Sequence, residues 1–157
     1  MKPWHESVWE YPRPPRVEAV ADRVVVRFAG ELIVDTAKAV RVLETSHPPV
    51  YYLPPPDVRW DLLEPASGRS FCEFKGGASY VTIIAGGRRL ERAGWLYRDP
   101  TPAFRSIAGY VAFYASRVDE ARVGDEVVSA QPGDFYGGWI TSWVVGPFKG
   151  PPGTSRW

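Results

Sequence analysis

The sequence contains a single cysteine, Cys72, among its 157 residues, and this scarcity excludes two common ways of stabilising a fold. One thiol forms no disulfide within the chain, and it cannot supply the cysteine set of a structural zinc site. His5 and His47 are the only histidines. We therefore predict a protein that is stabilised by packing and that carries no metal and no cofactor.

Net charge and long apolar runs are also lacking. Nineteen Lys and Arg stand against 18 Asp and Glu, so the chain has no overall field that attracts nucleic acid. Apolar stretches such as Tyr80–Gly86 are far shorter than the roughly 20 residues that span a bilayer. The start, Met1–Glu6, lacks the apolar segment of a signal peptide. We predict a cytoplasmic protein with no membrane or nucleic-acid partner.

Proline and glycine, in contrast, are abundant. The chain has 16 prolines and 15 glycines, spread without a period, which leaves little room for long helices. Hydrophobic residues make up 45% and aromatic residues 14%, well above the level of disordered chains. The composition predicts a mostly β fold with at most one short helix.

Short β-branched or alternating runs predict the strands. These runs are Arg23–Phe28, Leu32–Asp35, Val40–Glu44, Val50–Leu53, Val58–Leu63, Ser70–Phe74, Tyr80–Ile84, Arg88–Ala93 and Tyr110–Tyr114. Gly86 and Gly87 favour a tight hairpin, and Glu64–Gly68 is typical of a turn. Thr101–Ile107, with Thr before Pro, predicts a helical segment of one or two turns.

The two ends of the chain differ from its middle. Residues 1–16 are rich in Pro and Trp and predict an N-terminal arm, which precedes a β domain at 17–130. Residues 131–157 alternate Gly, Pro and Trp without a hydrophobic period, so they cannot build a core of their own. We predict a C-terminal extension that packs on the body or on a neighbouring subunit through Trp139, Trp143 and Phe148.

Four ordered motifs cover nearly half of the chain: Glu44–Pro54, Cys72–Tyr80, Gly94–Pro100 and Ile107–Tyr114. They resemble the bacterial family catalogued as the domain of unknown function 427, which is sometimes labelled a nucleotidyltransferase. The resemblance implies a β-tent fold, in which two antiparallel sheets meet at an angle, as in Mss4-like proteins. Relatives of that fold commonly hold zinc with two Cys pairs, but Cys72 stands alone here. No Gly-Ser followed by an Asp-x-Asp pair supports the transferase label.

Polar groups are concentrated in the nine residues Glu44–Tyr52, which contain an acid, two hydroxyls, an imidazole and two phenols around the bend at Pro48 and Pro49. Polar groups on a stiff loop are how β scaffolds commonly present a binding site. The alternative is a loop whose Thr45 and Ser46 cap the backbone while the tyrosines pack. We favour the binding site.

Two further residues have both a chemical and a structural interpretation. Lys75 precedes Gly76 and Gly77, and a cation beside glycines can contact an anionic ligand, although a solvated lysine in a turn fits equally well. Cys72 is either a small buried side chain or a nucleophile, and a nucleophile requires His5 or His47 nearby as a base.

We therefore carry two hypotheses. The first is a domain that binds an unknown small molecule, either as a binding protein or as an enzyme whose catalytic candidates are Glu44, His47, Lys75 and Cys72. The second is a non-catalytic module that forms homo-oligomers or binds proteins through its Trp-rich ends. In the first hypothesis the ligand-binding residues are Glu44, Ser46, His47, Tyr52, Lys75, Tyr80, Trp95 and Tyr97.

We predict that the purified protein contains no stoichiometric zinc, because one Cys and two His cannot close a tetrahedral site without carboxylate ligands. A chelator should leave the melting temperature unchanged. Elemental analysis that finds one zinc per chain would contradict this prediction.

Overall fold

The computed structural model describes residues 5–72, 74–133, 136–151 and 153–154. Trp4 of the predicted arm lies outside these ranges. Within them, the strands are β1 (Glu6–Ser7), β2 (Arg16–Ala19), β3 (Val24–Phe28), β4 (Glu31–Thr36), β5 (Val40–Leu43), β6 (Val50–Tyr52), β7 (Leu63–Cys72), β8 (Gly76–Ala85), β9 (Arg88–Leu96), β10 (Val111–Phe113), β11 (Glu120–Val123), β12 (Glu126–Val127), β13 (Ser129–Ala130), β14 (Trp139–Ile140) and β15 (Val144–Val145).

Helical structure in the described residues is limited to short 3-10 turns. They are Val8–Glu10, Pro55–Asp57, Trp60–Leu62 and Pro102–Ile107. The prediction of a mostly β fold with little helix is therefore confirmed, and Pro102–Ile107, which follows Thr101, consists of two short turns that meet at Phe104, where φ and ψ are not helical. Nowhere in the described residues does a helix have the length and apolar character needed to cross a membrane.

Most strands belong to two groups of antiparallel sheets. The first group joins the sheet β10-β9-β8-β7 to the sheet β2-β5-β6, because Leu53 and Val111 exchange backbone hydrogen bonds of 2.8 and 3.0 Å. The second is the sheet β12-β11-β3-β4. We call the first group the large sheet and the second the small sheet.

Side-chain alternation gives the large sheet two different buried faces. One face packs against the small sheet in the main core, and the other carries mainly aromatic side chains. The core face includes Leu53, Val81, Ile83, Val111 and Phe113, against Val24, Val26, Phe28 and Ile33 of the small sheet. The aromatic face includes Val42, Tyr52, Tyr80, Trp95, Tyr97 and Tyr114. Both faces of the central strands are therefore removed from water.

Several predicted elements are confirmed. Strands β3 and β4 form a hairpin through Ala29 and Gly30, whose φ angles of 52° and 77° suit the type I′ turn that matches strand twist. Strands β8 and β9 form the second predicted hairpin through Gly86 and Gly87. The short strands β1, β2 and β11 to β15 were not predicted, because they lie outside the β-branched and alternating runs.

Two predictions between Val58 and Cys72 are wrong. Only Val58 makes a strand-like bridge, to Val34, before a 3-10 turn begins. The predicted turn Glu64–Gly68 lies inside β7, which pairs along the length of β8 and absorbs the extra residues in a register shift after Ala66. Pro65 is tolerated there because β7 is an edge strand. The long partner strand thus overrides the local turn signal.

Both chain ends pack on the body. Strand β1 pairs in parallel with β15, so the arm and the extension contact each other. Trp139 of the extension is 1% exposed, stacks on Tyr51 with ring centroids 5.1 Å apart, and donates its indole N–H to the Phe113 carbonyl at 2.9 Å. The extension therefore contributes a large side chain to the main core.

We predict that Trp139→Ala destabilises the protein by about 3–5 kcal/mol, because it leaves a cavity and an unpaired carbonyl in the core. Phe71→Ala is the matched control, since this ring is 77% exposed and its loss should cost no more than about 0.5 kcal/mol. Urea unfolding measures both. Equal effects of the two substitutions would show that the extension is not part of the cooperative core.

Candidate functional site

A cavity of about 240 Å³ lies over the aromatic face of the large sheet. Its walls combine aromatic rings with three charged side chains and one thiol. They are formed by Val42, Glu44, His47, Val50, Tyr52, Ser70, Phe71, Cys72, Phe74, Lys75, Tyr80, Trp95, Tyr97, Tyr114, Tyr136 and Lys149. A volume of this size holds a small organic molecule.

Four aromatic side chains on adjacent strands form the floor. The Trp95 and Tyr114 rings lie 4.7 Å apart, and Tyr52 meets Trp95 edge-on at 6.4 Å. The Tyr52 hydroxyl accepts a hydrogen bond from the Trp95 indole N–H at 3.3 Å. Burial raises the pKa of Tyr52 and of Tyr97 well above the ordinary value of a phenol. The floor is therefore uncharged at neutral pH.

The loop at residues 44–49 forms one wall, as the concentration of polar residues predicts. Its turn is closed by a hydrogen bond from the His47 amide to the Glu44 carbonyl at 3.1 Å. Ser46 adopts φ 71° and its side chain is fully buried, so it is not part of the cavity wall. Ser46 therefore does not line the cavity, and its role in ligand binding stays a prediction. Its backbone instead contacts Val8 of the arm and Lys149 of the extension.

The side-chain amide of Gln131 determines which nitrogen of His47 carries the proton. The amide oxygen of Gln131 accepts from the Gly138 N–H at 2.9 Å, and its nitrogen donates to the Lys149 carbonyl at 2.7 Å. That same nitrogen lies 3.3 Å from Nδ1 of His47. Because the amide nitrogen only donates, Nδ1 accepts, and the imidazole proton resides on Nε2.

His47 is neutral under ordinary conditions. Burial lowers its pKa to about 4, and the positive charges of Lys149, Lys75 and Arg13 act in the same direction. Its Nε2 lies 3.9 Å from Oε2 of Glu44, a separation longer than a hydrogen bond. Between the catalytic candidates Glu44 and His47, Glu44 is thus the better proton acceptor, because protonation of Nδ1 of His47 would place a proton against the amide of Gln131.

Lys75 lies in the turn between β7 and β8. Hydrogen bonds join this turn to Thr101, the residue before the 3-10 segment Pro102–Ile107. The Lys75 carbonyl accepts from the Thr101 amide at 2.9 Å, and the Thr101 hydroxyl donates to the Phe74 carbonyl. The Lys75 side chain is 8% exposed, with Nζ 5.6 Å from the centroid of the Phe104 ring. Within the described residues no carboxylate forms an ion pair with it.

Cys72 ends strand β7, is half-buried and lines the cavity. His47 is hydrogen-bonded to Gln131, and no hydrogen bond joins it to Cys72 in the described part of the chain. The base that a cysteine nucleophile requires is therefore not paired with this thiol. Metal ligation is not evident either, since the described residues contain no cluster of three or more His, Cys, Asp or Glu side chains.

The extension forms a wall that sequence reasoning missed. Tyr136 packs edge-on against His47 with ring centroids 4.7 Å apart. Gly137 follows it with φ 76°, and a Cβ at this position would lie 2.4 Å from the Trp95 ring. A glycine here lets the backbone lie directly on the indole. The pair Gly137-Gly138 was the available signal for such a close approach.

The structure brings most of the predicted site residues into one cavity. Glu44, His47, Tyr52, Cys72, Lys75, Tyr80, Trp95 and Tyr97 all line it, and Ser46 does not. Tyr136 and Lys149 are the polar additions from the extension. That this cavity binds a ligand stays a prediction.

One protein family, described as a domain of unknown function (DUF427), matches residues 16–124. The matched range covers more than half of the chain and contains Glu44, His47 and Lys75. It excludes Arg13 of the arm, and it excludes Lys149 together with the rest of the extension. No curated protein matches the sequence.

We predict a stability loss in mild acid that originates at His47. Its folded pKa of about 4 lies below the unfolded value of 6.5, so between these two pH values only the unfolded chain takes up the proton. Stability contributed by this residue is complete above pH 6.5 and falls by about 3 kcal/mol as the pH drops to about 4.

Urea unfolding at a series of pH values measures the loss, and His47→Gln serves as the comparison because its side chain does not titrate. The variant should show a smaller decline over the same pH range. Parallel declines in the two proteins would contradict the assignment to His47.

Proposed function

The chain belongs to the DUF427 family, and from the geometry of its cavity we propose that it binds a small aromatic anion. The family description assigns no activity, so the proposal rests on the site. In this proposal the ammonium group of Lys75 holds the negative group of the ligand, and the aromatic face of the large sheet holds its ring.

The burial of Lys75 is the observation that carries the proposal. Its side chain is 8% exposed at a cavity wall, and among the described residues its closest charge-stabilising contact is the Phe104 ring. Removing an ammonium from water costs several kcal/mol unless an opposite charge compensates it. An anionic ligand in the cavity would supply this compensation.

The shape of the floor supports a flat ligand. Tyr52, Trp95 and Tyr97 present rings on neighbouring strands, and aromatic pairs contribute about 0.5–1.5 kcal/mol beyond the area they bury. Buried phenols with raised pKa values add no negative charge that would repel an anion. A ring with an acidic substituent matches both the floor and Lys75.

Glu44 is the group that we propose for proton transfer if the bound ligand reacts. It is the only carboxylate among the described residues of the cavity wall, and the neutral imidazole of His47 faces it with its N–H. His47, which lies 3.9 Å from Glu44, would not itself accept the proton. This division of roles leaves the reaction class open to experiment.

The alternative function, self-association through the Trp-rich ends, has weaker support. Trp139 and Trp143 are 1% and 7% exposed because they pack inside their own chain. Trp9 is 41% exposed, and its indole N–H donates to the Pro147 carbonyl at 2.8 Å. The described tryptophans of the ends thus offer little free surface to a partner.

The β-tent arrangement is also part of the proposal. Its support is that the large and small sheets are both antiparallel and share one core, with the cavity on the outer face of the large sheet. In this arrangement the ligand lies on the sheet face that points away from the main core.

Benzoate is the smallest probe that combines an aromatic ring with an anion, and benzamide is its neutral isostere. We predict that benzoate binds and raises the melting temperature, whereas benzamide does not. Lys75→Met should weaken benzoate at least about tenfold, since a hydrogen bond to a charged group contributes about 1.5–3 kcal/mol. Calorimetric titration measures the affinities.

Lys38→Met is the control, because Lys38 is exposed and does not line the cavity. Lys38→Met should keep the wild-type unfolding free energy within about 1 kcal/mol, whereas Lys75→Met should raise it, because methionine preserves the packing of the lysine stem and removes the buried charge. The proposal fails if benzoate does not bind, or if Lys75→Met binds it as tightly as Lys38→Met.

A further inference from the structure

The two chain ends add positive charge to the cavity that the family domain frames. Among the described residues of the range 16–124, the charged side chains on the wall are Glu44 and Lys75, which carry opposite charges. Lys149 belongs to the extension and lines the same cavity. Arg13 belongs to the arm, and its guanidinium donates to the Thr45 carbonyl at 3.3 Å, beside Glu44. With Lys149 included, the described wall carries two cations and one carboxylate, and Arg13, which does not line the wall, lowers the pKa of His47 from the arm.

Lys149 is held at the cavity by both of its backbone polar groups. Its amide donates to the Ser46 carbonyl at 2.8 Å, and its carbonyl accepts from Gln131 at 2.7 Å. Its Nζ lies 5.1 Å from the centroid of the Tyr136 ring, and it makes no ion pair with a carboxylate in the described ranges. The ammonium is therefore positioned on the wall before any ligand arrives.

The two lysines differ in depth. Lys75 is buried, whereas Lys149 is half-buried, so the cavity offers one inner and one outer cation. The positive charges of Lys149, Lys75 and Arg13 all lower the pKa of His47, so all three act on the same imidazole. Because Lys75 and Lys149 come from different segments and stand at different depths of one wall, each can serve a separate anionic group. An opposite charge within about 4–6 Å is what stabilises an ionised group.

We infer that the natural ligand carries two negative groups, one held by Lys75 and the other by Lys149 with Arg13 nearby. The substrate class is thus a small aromatic diacid. This inference rests on the proposed function, which requires only one negative group. The family domain supplies the frame and the inner cation, and the chain ends select for the second charge.

Isophthalate and its monomethyl ester test the inference, because they share one ring and one carboxylate and differ in the second charge. We expect the full chain to bind isophthalate about tenfold more tightly than the ester, which corresponds to one charge-assisted contact. Calorimetric titration at low salt measures both affinities, and the ratio should fall as salt is raised.

Three variants assign the preference to Lys149. Lys149→Met should reduce the ratio of the two affinities to near one, Lys149→Arg should retain most of it, and Lys38→Met should leave it unchanged. In Lys149→Met, benzoate should lose less affinity than isophthalate does, since Lys75 holds the single carboxylate of benzoate. An unshifted ratio in Lys149→Met would overturn the inference.

Nuclear magnetic resonance of the His47 ring verifies that the extension stays in place. In Lys149→Met the proton should remain on Nε2, while the pKa of His47 rises because one cation is lost. Loss of this tautomer would mean that the extension has moved, and Lys149→Arg then decides alone: a ratio near one in that variant overturns the inference. Equal binding of isophthalate and its ester by wild type overturns it while the proposed function stands. Failure of benzoate to bind overturns both.

Discussion

The site depends on the hydrogen bonds of one side-chain amide, that of Gln131. This amide joins the loop at residues 44–49 to the extension, and its nitrogen and oxygen bind different groups. Its nitrogen holds the carbonyl of Lys149 and sets the tautomer of His47, while its oxygen holds the turn at Gly138. Gln131, which is 3% exposed, therefore couples the position of the extension to the tautomer of His47.

The electrostatics of the cavity follow from burial on one side and cations on the other. A neutral imidazole and neutral phenols leave Glu44 as the one negative group on the described wall, surrounded by ammonium groups. The ammonium groups on this wall lack enough negative charge to compensate them, and water in a partly closed cavity solvates them less well than bulk water does. This imbalance, more than the shape of the cavity, distinguishes it from an ordinary packing defect.

The fold and the floor could be read from local sequence patterns, whereas the far wall could not. Alternation and turn residues indicate strands such as β3 and β8, and the polar concentration from Glu44 to Tyr52 marks the loop. Gln131, Tyr136 and Lys149 lie in a segment without a period, and Gln131 reaches His47 across 84 positions. Their placement depends on hydrogen bonds and ring contacts between residues far apart in the sequence, and Gly137-Gly138 is the local signal that the segment offers.

The cavity is divided between the family domain, which supplies its floor and the inner cation, and the chain ends, which supply the outer positive charge. Substitutions on the floor would disturb strands that are buried on both faces, so they would destabilise the frame. Replacing Lys149 or Arg13 alters no core packing and requires no new backbone. Descendants of one ancestral frame could therefore diverge in the charge of their ligands by changing only the ends of the chain.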